Sequence, residues 1–396
     1  MLGLDTHSLN LLDGMLGRKL PSVRIGERMV GQGQPAYIIG EVGINHNGDM
    51  ATALRLIDVA AESGLDAVKF QKRSLPDLYQ QRMLDDPNRF EEGFEYLIPI
   101  LKEVEFTREQ YLLLQERARQ RGLAFLCTPF DERSVDFLEP FDLPAYKVAS
   151  ADLNNLILLE RLIGTCKPLI LSTGMSPLAE IDFVGRFLAQ WNVECILLHC
   201  VSAYPTPPED THLDYLHVLQ ERYGVPVGLS SHEIGFEISV AAAALGACVI
   251  ERHITLDKRA EGPDHAASLE PDQLGEMVRR IRFIETARGN GAKNISRIVI
   301  KNREALGKSL VAVRDIRNGE PLTRSMVCAK GPAKGLSPLY LYELLGKKAQ
   351  RDIARDEFFR EEDCRAVAHS RYVPAFASAW GFKGRFIDLD VYRHRY

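Results

Sequence analysis

A (β/α)8 barrel followed by a small β-rich module is the fold class the sequence predicts, and three observations predict it. Eight short apolar runs recur between residue 37 and about residue 256, each ending in polar residues. Amphipathic helical stretches separate them. The chain has 396 residues, too many for one ordinary domain, and a barrel of about 250 residues with one small appendage fits that length.

Residues 1–34 form an N-terminal extension. The runs then follow in order: YIIGEVGIN (37–45), DAVKFQK (66–72), LAFLCTPF (123–130), AYKVAS (145–150), PLILSTG (168–174), CILLHCVS (195–202), VPVGLSS (225–231) and CVIERHITL (248–256). Between them lie segments such as MATALRLIDVAAESG, TREQYLLLQERARQRG and GFEISVAAAALG, several closing on Gly as helices do. Nearly continuous apolar strands that alternate with helices imply a parallel sheet covered on both faces. Eight such units in roughly 220 residues close it into a barrel, placed at 35–290. An open doubly wound sheet is the competing architecture, but GEVGINHNG lacks the GxGxxG spacing that would open it.

The connection at 73–106 is far longer than the usual two to six residues or so; a lid, a partner contact and a passive insertion account for it equally. A helix at 271–288 closes the barrel, and GNGAKN marks a linker. Residues 297–367 change character: SLVAVRDIRNGEPLTRSMVCAKGPAKGLSP mixes short strands with an NGE turn and Gly/Pro punctuation, a small β-rich module. The aromatic and basic tail at 368–396 has no assigned role.

Apolar residues at 45% and charged residues at 26% describe a soluble globular protein. A net charge of −5 argues against nonspecific nucleic-acid binding, which needs clustered Lys and Arg. No apolar run approaches the roughly 20 residues that span a bilayer, so no membrane partner is expected. The first residues lack the basic start and apolar core of a signal peptide. The seven cysteines are odd in number, without a CxxC pair, and most sit in apolar runs. Buried reduced thiols in a cytoplasmic protein are expected, none of them a strong nucleophile.

Catalytic groups of a barrel sit at the C-terminal ends of its strands. Those ends carry Glu41, Asn45 and His46; Lys69 and Gln71; Thr128; Lys147 and Ser150; Ser172 and Thr173; Ser202 and Tyr204; Ser230, Ser231 and His232; Glu251 and His253. Lys69 and Lys147 lie inside apolar runs, where an ammonium is costly unless paired. An anionic ligand taking both cations and the hydroxyls of Thr128, Ser150, Ser172 and Ser230 accounts for the set, and phosphoenolpyruvate carries both phosphate and carboxylate. Snorkelling lysines and a Schiff-base lysine are the alternatives. His232 and His253 end neighbouring strands, which suits a divalent metal with open positions; one proton donor and one packing residue is the other reading. Glu41 reads as a base or charge stabiliser, or as a structural partner for a lysine. Asp264, after the last strand, is placed to grip a substrate hydroxyl. His46 stays unassigned, and His199 reads as a core histidine.

GEVGINHNGD, AVKFQK, YKVAS, LILSTGM, CVSAYPTPPED, GLSSHEIG, ERHITLDK and GPDHAASLEP resemble, in order and spacing, the motifs of the sialic acid synthase family, which includes legionaminate and pseudaminate synthases. LGKSLVAVRDIRNGEPLT resembles that family's antifreeze-like (SAF) module, and the likeness covers about residues 30 to 365. The resemblance implies joining phosphoenolpyruvate to the open-chain aldehyde of an N-acylated amino sugar, with phosphate released by C–O cleavage. It implies that Lys69, Gln71, Thr128, Lys147, Ser150, Ser172 and Ser230 hold phosphoenolpyruvate and that His232 and His253 bind Mn2+ or Mg2+. Glu41 then handles a proton, and Asp152, Tyr204 and Asp264 contact the sugar. It further implies a domain-swapped homodimer in which the module caps the partner's barrel. Two departures bear on the sugar. Ser202 stands where many bacterial members have Asn, a form that resembles animal and pseudaminate enzymes. AKGPAKGLSP lacks the Arg that bacterial free-sugar enzymes use for the N-acyl group, leaving Lys330 or Lys334 as substitutes. N-acetylmannosamine or its 6-phosphate is the expected acceptor, with legionaminate and pseudaminate precursors open.

Overall fold

A computed structural model of the chain describes residues 21–86, 88, 94–289 and 291–364. The first 20 residues and the tail at 368–396 lie outside the described residues. The chain divides into two compact units, Met1–Gly291 and Ala292–Tyr396.

The first unit is a closed eight-stranded parallel barrel. Before it, within the stretch set apart as an extension, β1 (Val23–Ile25) and β2 (Arg28–Val30) pair as an antiparallel hairpin. The barrel strands are β3 (Tyr37–Gly43), β4 (Ala67–Lys72), β5 (Ala124–Pro129), β6 (Tyr146–Val148), β7 (Leu169–Ser172), β8 (Cys195–Cys200), β9 (Val227–Ser231) and β10 (Val249–His253), and β10 closes onto β3. The helices between them are α1 (Met50–Glu62), α2 (Leu75–Leu78), α3 (Gln81–Asp85), α4 (Phe94–Glu103), α5 (Arg108–Gln120), α6 (Glu132–Leu138), α7 (Leu156–Ile163), α8 (Leu178–Gln190), α9 (Tyr215–Tyr223), α10 (Glu237–Leu245) and α11 (Pro271–Arg288). Three of them, α2 to α4, occupy the long connection after β4.

Local chemistry sets the helix ends. Asp49 caps α1 by accepting from the Thr52 N–H at 2.8 Å. Thr107 and Gln110 form a reciprocal capping box on α5. Pro271 opens α11, where its missing N–H costs nothing. The buried faces then follow helical spacing, as with Ala53, Leu56, Ile57 and Ala60 on α1.

The period of two along each strand sorts side chains between two cores. Outward residues such as Ile38, Val68, Phe70, Phe125, Cys127, Leu171 and Leu229 pack with the helices. The inward set Tyr37, Ile39, Ala67, Leu126, Ala145, Ile170, Ile196, Leu198 and Val249 shares one cluster with Val23, Ile25 and Val30 of the hairpin. The hairpin therefore closes the N-terminal end of the barrel. One step toward the C-terminal end, the same alternation brings Glu41, Lys69, Thr128, Lys147, Ser172, Cys200, Ser230 and Glu251 to the interior, all buried. The barrel is apolar in its lower layers and polar in its top layer.

In the second unit, α12 (Arg297–Leu306) precedes β11 (Ser309–Ala312) and β12 (Val327–Lys330), which pair antiparallel, and α13 (Leu341–Leu344) follows. Single bridges at Val311–Phe358, Ile316–Ile353 and Pro321–Lys348 extend the pairing. Leu310, Ile316, Leu322, Leu336, Ile353 and Phe359 form its core. No described helix is long and apolar enough to cross a membrane.

Candidate active site

The top layer of the barrel is held together by charge. Lys69 Nζ lies 2.6 Å from Glu41 Oε2 and 3.8 Å from a Glu251 carboxylate oxygen, and it donates to Thr128 Oγ1 at 2.9 Å. Lys147 Nζ lies 3.6 Å from Glu251 and donates to the Val148 carbonyl at 3.2 Å. Ser230 Oγ donates to Glu251 at 3.0 Å, and Gln71 Nε2 to Glu41 at 2.6 Å. Burial alone would lower Lys69, but Glu251 and Glu41 outweigh it and hold the ammonium above its ordinary pKa. For Lys147 burial wins, and its pKa is lowered. Burial would raise Glu251, yet the two lysines pull it well down. Glu41 is paired with a lysine, which leaves its reading as a base open. Glu251, counted among the polar strand ends without a role, is the carboxylate shared by both cations.

A β-bulge between Glu41 and Gly43 breaks the register of β3 on β4. Gly43 has φ +56°, and a Cβ there would lie 3.3 Å from both Gln71 Nε2 and Glu41 Oε1 and 3.5 Å from His253 Cε1. The bulge lets bare backbone pass between the carboxylate and the histidine, with Gly supplying the left-handed conformation. Gly174 plays a similar part across the rim. A Cβ there would meet Ser202 Oγ at 2.6 Å, Cys200 Sγ at 2.8 Å and Ser150 Oγ at 3.0 Å. The Gly174 N–H donates to Ser150 Oγ at 3.1 Å, and Ser150 donates to Cys200 Sγ at 3.6 Å. Burial raises the Cys200 thiol, which keeps it protonated.

His232 and His253 face each other with ring centroids 5.4 Å apart, and Tyr204 lies 4.1 Å from the first and 6.1 Å from the second. His232 Nδ1 lies 3.0 Å from the Val201 carbonyl, which can only accept. The proton therefore sits on Nδ1, and Nε2 keeps its lone pair. Burial, helped by His253, pushes His232 down to about 3, so the ring is neutral. His253 Nδ1 lies 3.8 Å from Asp264 Oδ2. A neutral imidazole whose other nitrogen is fixed by a carbonyl is the donor a divalent metal takes, and the His253 ring lies beside it. Among the described residues no group of three or more His, Cys, Asp or Glu is arranged to hold a metal ion. The donors the structure offers a metal are the two imidazoles of His232 and His253.

Asp152 makes no hydrogen bond or ion pair to the other candidates. It is buried after β6, accepts from Asn155 Nδ2 at 3.1 Å, and burial raises its pKa. Ser172 Oγ, Ser202 Oγ, His253 Nδ1 and Arg73 Nη1 are buried and have no hydrogen-bond partner. Asn45, His199, Arg252 and His265 also carry buried atoms without a partner, so it is at the strand ends and the loop after β4 that such atoms are free for a ligand. Arg73 escaped the sequence reading because it opens a long polar connection. His199 is in the core as expected, its Nε2 2.6 Å from the Thr211 carbonyl.

A family model described as the NeuB family matches residues 56–293, and a SAF domain model matches 307–365. N-acetylneuraminate-9-phosphate synthase of Mus musculus is 39% identical over 351 residues, covering 88% of this chain and 97% of that protein. N,N'-diacetyllegionaminic acid synthase of Campylobacter jejuni is 39% identical over 329 residues, 82% of this chain and 98% of that one. The crystal structure of an N-acetylneuraminic acid (sialic acid) synthetase from Leptospira borgpetersenii superposes with a TM-score of 0.65 at 32% identity, over 72% of this chain and 96% of that one.

Proposed function

Because this chain belongs to the NeuB family, we propose that it condenses phosphoenolpyruvate with the open-chain aldehyde of an N-acylated amino sugar. The acceptor is N-acetylmannosamine or its 6-phosphate, and the products are N-acetylneuraminate or its 9-phosphate and inorganic phosphate. A carbon–carbon bond forms between C3 of phosphoenolpyruvate and the aldehyde carbon. Water adds at C2, and the C2–O bond to phosphate breaks.

The observation that carries this reading is the buried top layer, in which two lysines share two carboxylates beside several hydroxyls. Lys69 and Lys147, with Thr128, Ser150, Ser172 and Ser230, bind the phosphate and carboxylate of phosphoenolpyruvate. Glu251 holds the two ammonium groups at their spacing. Glu41, aimed by Gln71 and the bulge, takes the proton of the attacking water. A divalent metal, Mn2+ or Mg2+, held by His232 and His253 supplies Lewis-acid polarisation and orients reactants. Tyr204, Ser202, Asp264 and Asp152 contact the sugar. Identity to the 9-phosphate synthase and to the legionaminic acid synthase is the same 39%, so the acceptor rests on the Ser202 form of the rim. Lys330, one substitute for the absent arginine, is engaged by Asp356.

The test is phosphate release from enzyme, Mn2+, phosphoenolpyruvate and a panel of N-acylated hexosamines and their 6-phosphates, with the product identified by mass. Silence across the panel overturns the reading. Chelation abolishes turnover; activity that survives metal stripping removes the histidine assignment. A Schiff-base aldolase is kept in view by one observation, the lowered pKa of Lys147. Borohydride with pyruvate traps an adduct in that case and none in ours. A homodimer in which the module caps the partner's barrel belongs to the same proposal, and light scattering measures its mass.

A further inference from the structure

Arg73 follows β4 directly, two residues beyond Gln71, and its guanidinium is fixed on two sides. Its Cζ lies 3.9 Å from the centroid of the Phe130 ring, a close cation–π contact. Its Nη2 donates to Gln71 Oε1, and its backbone N–H donates to Glu105 Oε1 at 3.1 Å. Nη1 is left buried without a partner.

The neighbouring carboxylates are taken. Glu41 serves Lys69 and Gln71, and Glu105 pairs with Lys72. Among the described residues no ion pair includes Arg73. An arginine stem is long and flexible, and one with only a packing role turns its free nitrogen to water or to a carboxylate. Sealing it unpaired is costly, and this fold holds it in that position from both sides. Asp152 is buried, with one oxygen on Asn155, and makes no ion pair with Arg73. A lone donor set among carboxylates that are already engaged is the complement of a neutral acceptor such as a hydroxyl or an acyl carbonyl. A phosphate suits the place poorly, because Glu41, Glu105 and Asp152 all bear on it.

Resting on the condensation proposed above, we propose that Arg73 is a specificity-determining residue of this enzyme. Its Nη1 donates to a neutral oxygen of the acceptor sugar, a hydroxyl or the acyl carbonyl. It reads the acceptor and leaves phosphoenolpyruvate to the lysines.

The experiment uses the full-length enzyme with Mn2+, phosphoenolpyruvate and whichever acceptor gives wild-type phosphate release, so failure of the reaction itself shows in the wild type. Arg73→Gln raises KM for the acceptor by about tenfold or more, as loss of one buried hydrogen bond does, and leaves KM for phosphoenolpyruvate within about twofold. Arg73→Lys, which keeps the charge but not the fork, falls between the two. Acceptors lacking the acyl group or a single hydroxyl identify the oxygen, since wild type and Arg73→Gln converge on the analogue that lacks it. An unchanged acceptor KM overturns the proposal. So does a parallel rise in both KM values, which marks Arg73 as a prop for Gln71. A variant that loses far more on a phosphorylated acceptor than on the free sugar overturns it too, by making Arg73 an anion site.

Discussion

The two ends of the barrel handle their charges in opposite ways. At the N-terminal end Asp66 accepts from the Ile38 N–H at 2.8 Å and pairs with Arg28 and with Arg282. Arg282 also donates to the Ala36 carbonyl at 2.9 Å, and Glu285 accepts from the Ala36 N–H at 2.6 Å. Nearly every polar atom there has a partner within the chain. At the C-terminal rim the lysines share carboxylates at 3.6 and 3.8 Å, and hydroxyls and an arginine nitrogen go without. A cleft of about 580 Å3 lies at the satisfied end, lined by Arg28, Asp66, Arg282 and Glu285. Unmet hydrogen-bonding capacity, more than volume, distinguishes the end that binds from the end that stabilises.

That contrast is open to mutation. The largest effect is expected at the rim: Lys69→Met removes a cation from the anion site and leaves Glu41 without its ion pair. Phosphate release falls on the order of 10³-fold, and the urea midpoint falls as well, since breaking a buried pair costs about 3–5 kcal/mol. At the other end Asp66→Asn lowers stability by about 2–3 kcal/mol, while turnover per folded molecule stays at the wild-type value. Loss of turnover in that variant breaks the division between the ends. Ser172→Ala gives the converse: removing an unpartnered hydroxyl leaves the urea midpoint unchanged or slightly raised, and KM for phosphoenolpyruvate rises about tenfold.

The smallest effect is one of pH. His46 is buried with its ring stacked on Phe106 at 4.3 Å, and burial pushes it from 6.5 down to about 4. The unfolded chain then binds more protons than the folded one between those values. The contribution of His46 is therefore complete above about 6.5 and is lost as pH falls through about 4, with a slope near 1.4 kcal/mol per pH unit at most. Urea midpoints across that window should fall less steeply in His46→Gln.

Most of the barrel was legible in the sequence because each strand is apolar on both faces until its last residues. The run at 195–202 contains Cys195–Cys200 and that at 37–45 contains Tyr37–Gly43. The hairpin at 23–30 was missed because three-residue strands, VRI and RMV, are too short to carry a periodic signal. The short helices after β4 escaped for the same reason. At the site, residue types at strand ends exposed Lys69, Lys147 and the histidines. Pairings were out of reach, since Glu251 meets both lysines only once the barrel closes. Its inward position beside Val249 and His253 was visible in the period of two. Arg73 had no such signal, because nothing in a loop tells which nitrogen will be sealed.

The shared carboxylates of the top layer also bear on how the site responds to salt. Lys69 and Lys147 carry their counter-ions, Glu41 and Glu251, inside the protein. A ligand that enters exchanges these internal partners for its own oxygens and strips few ions from the surrounding solution. Its affinity should change little with ionic strength, unlike that of an open basic patch, where dissolved salt competes for every contact.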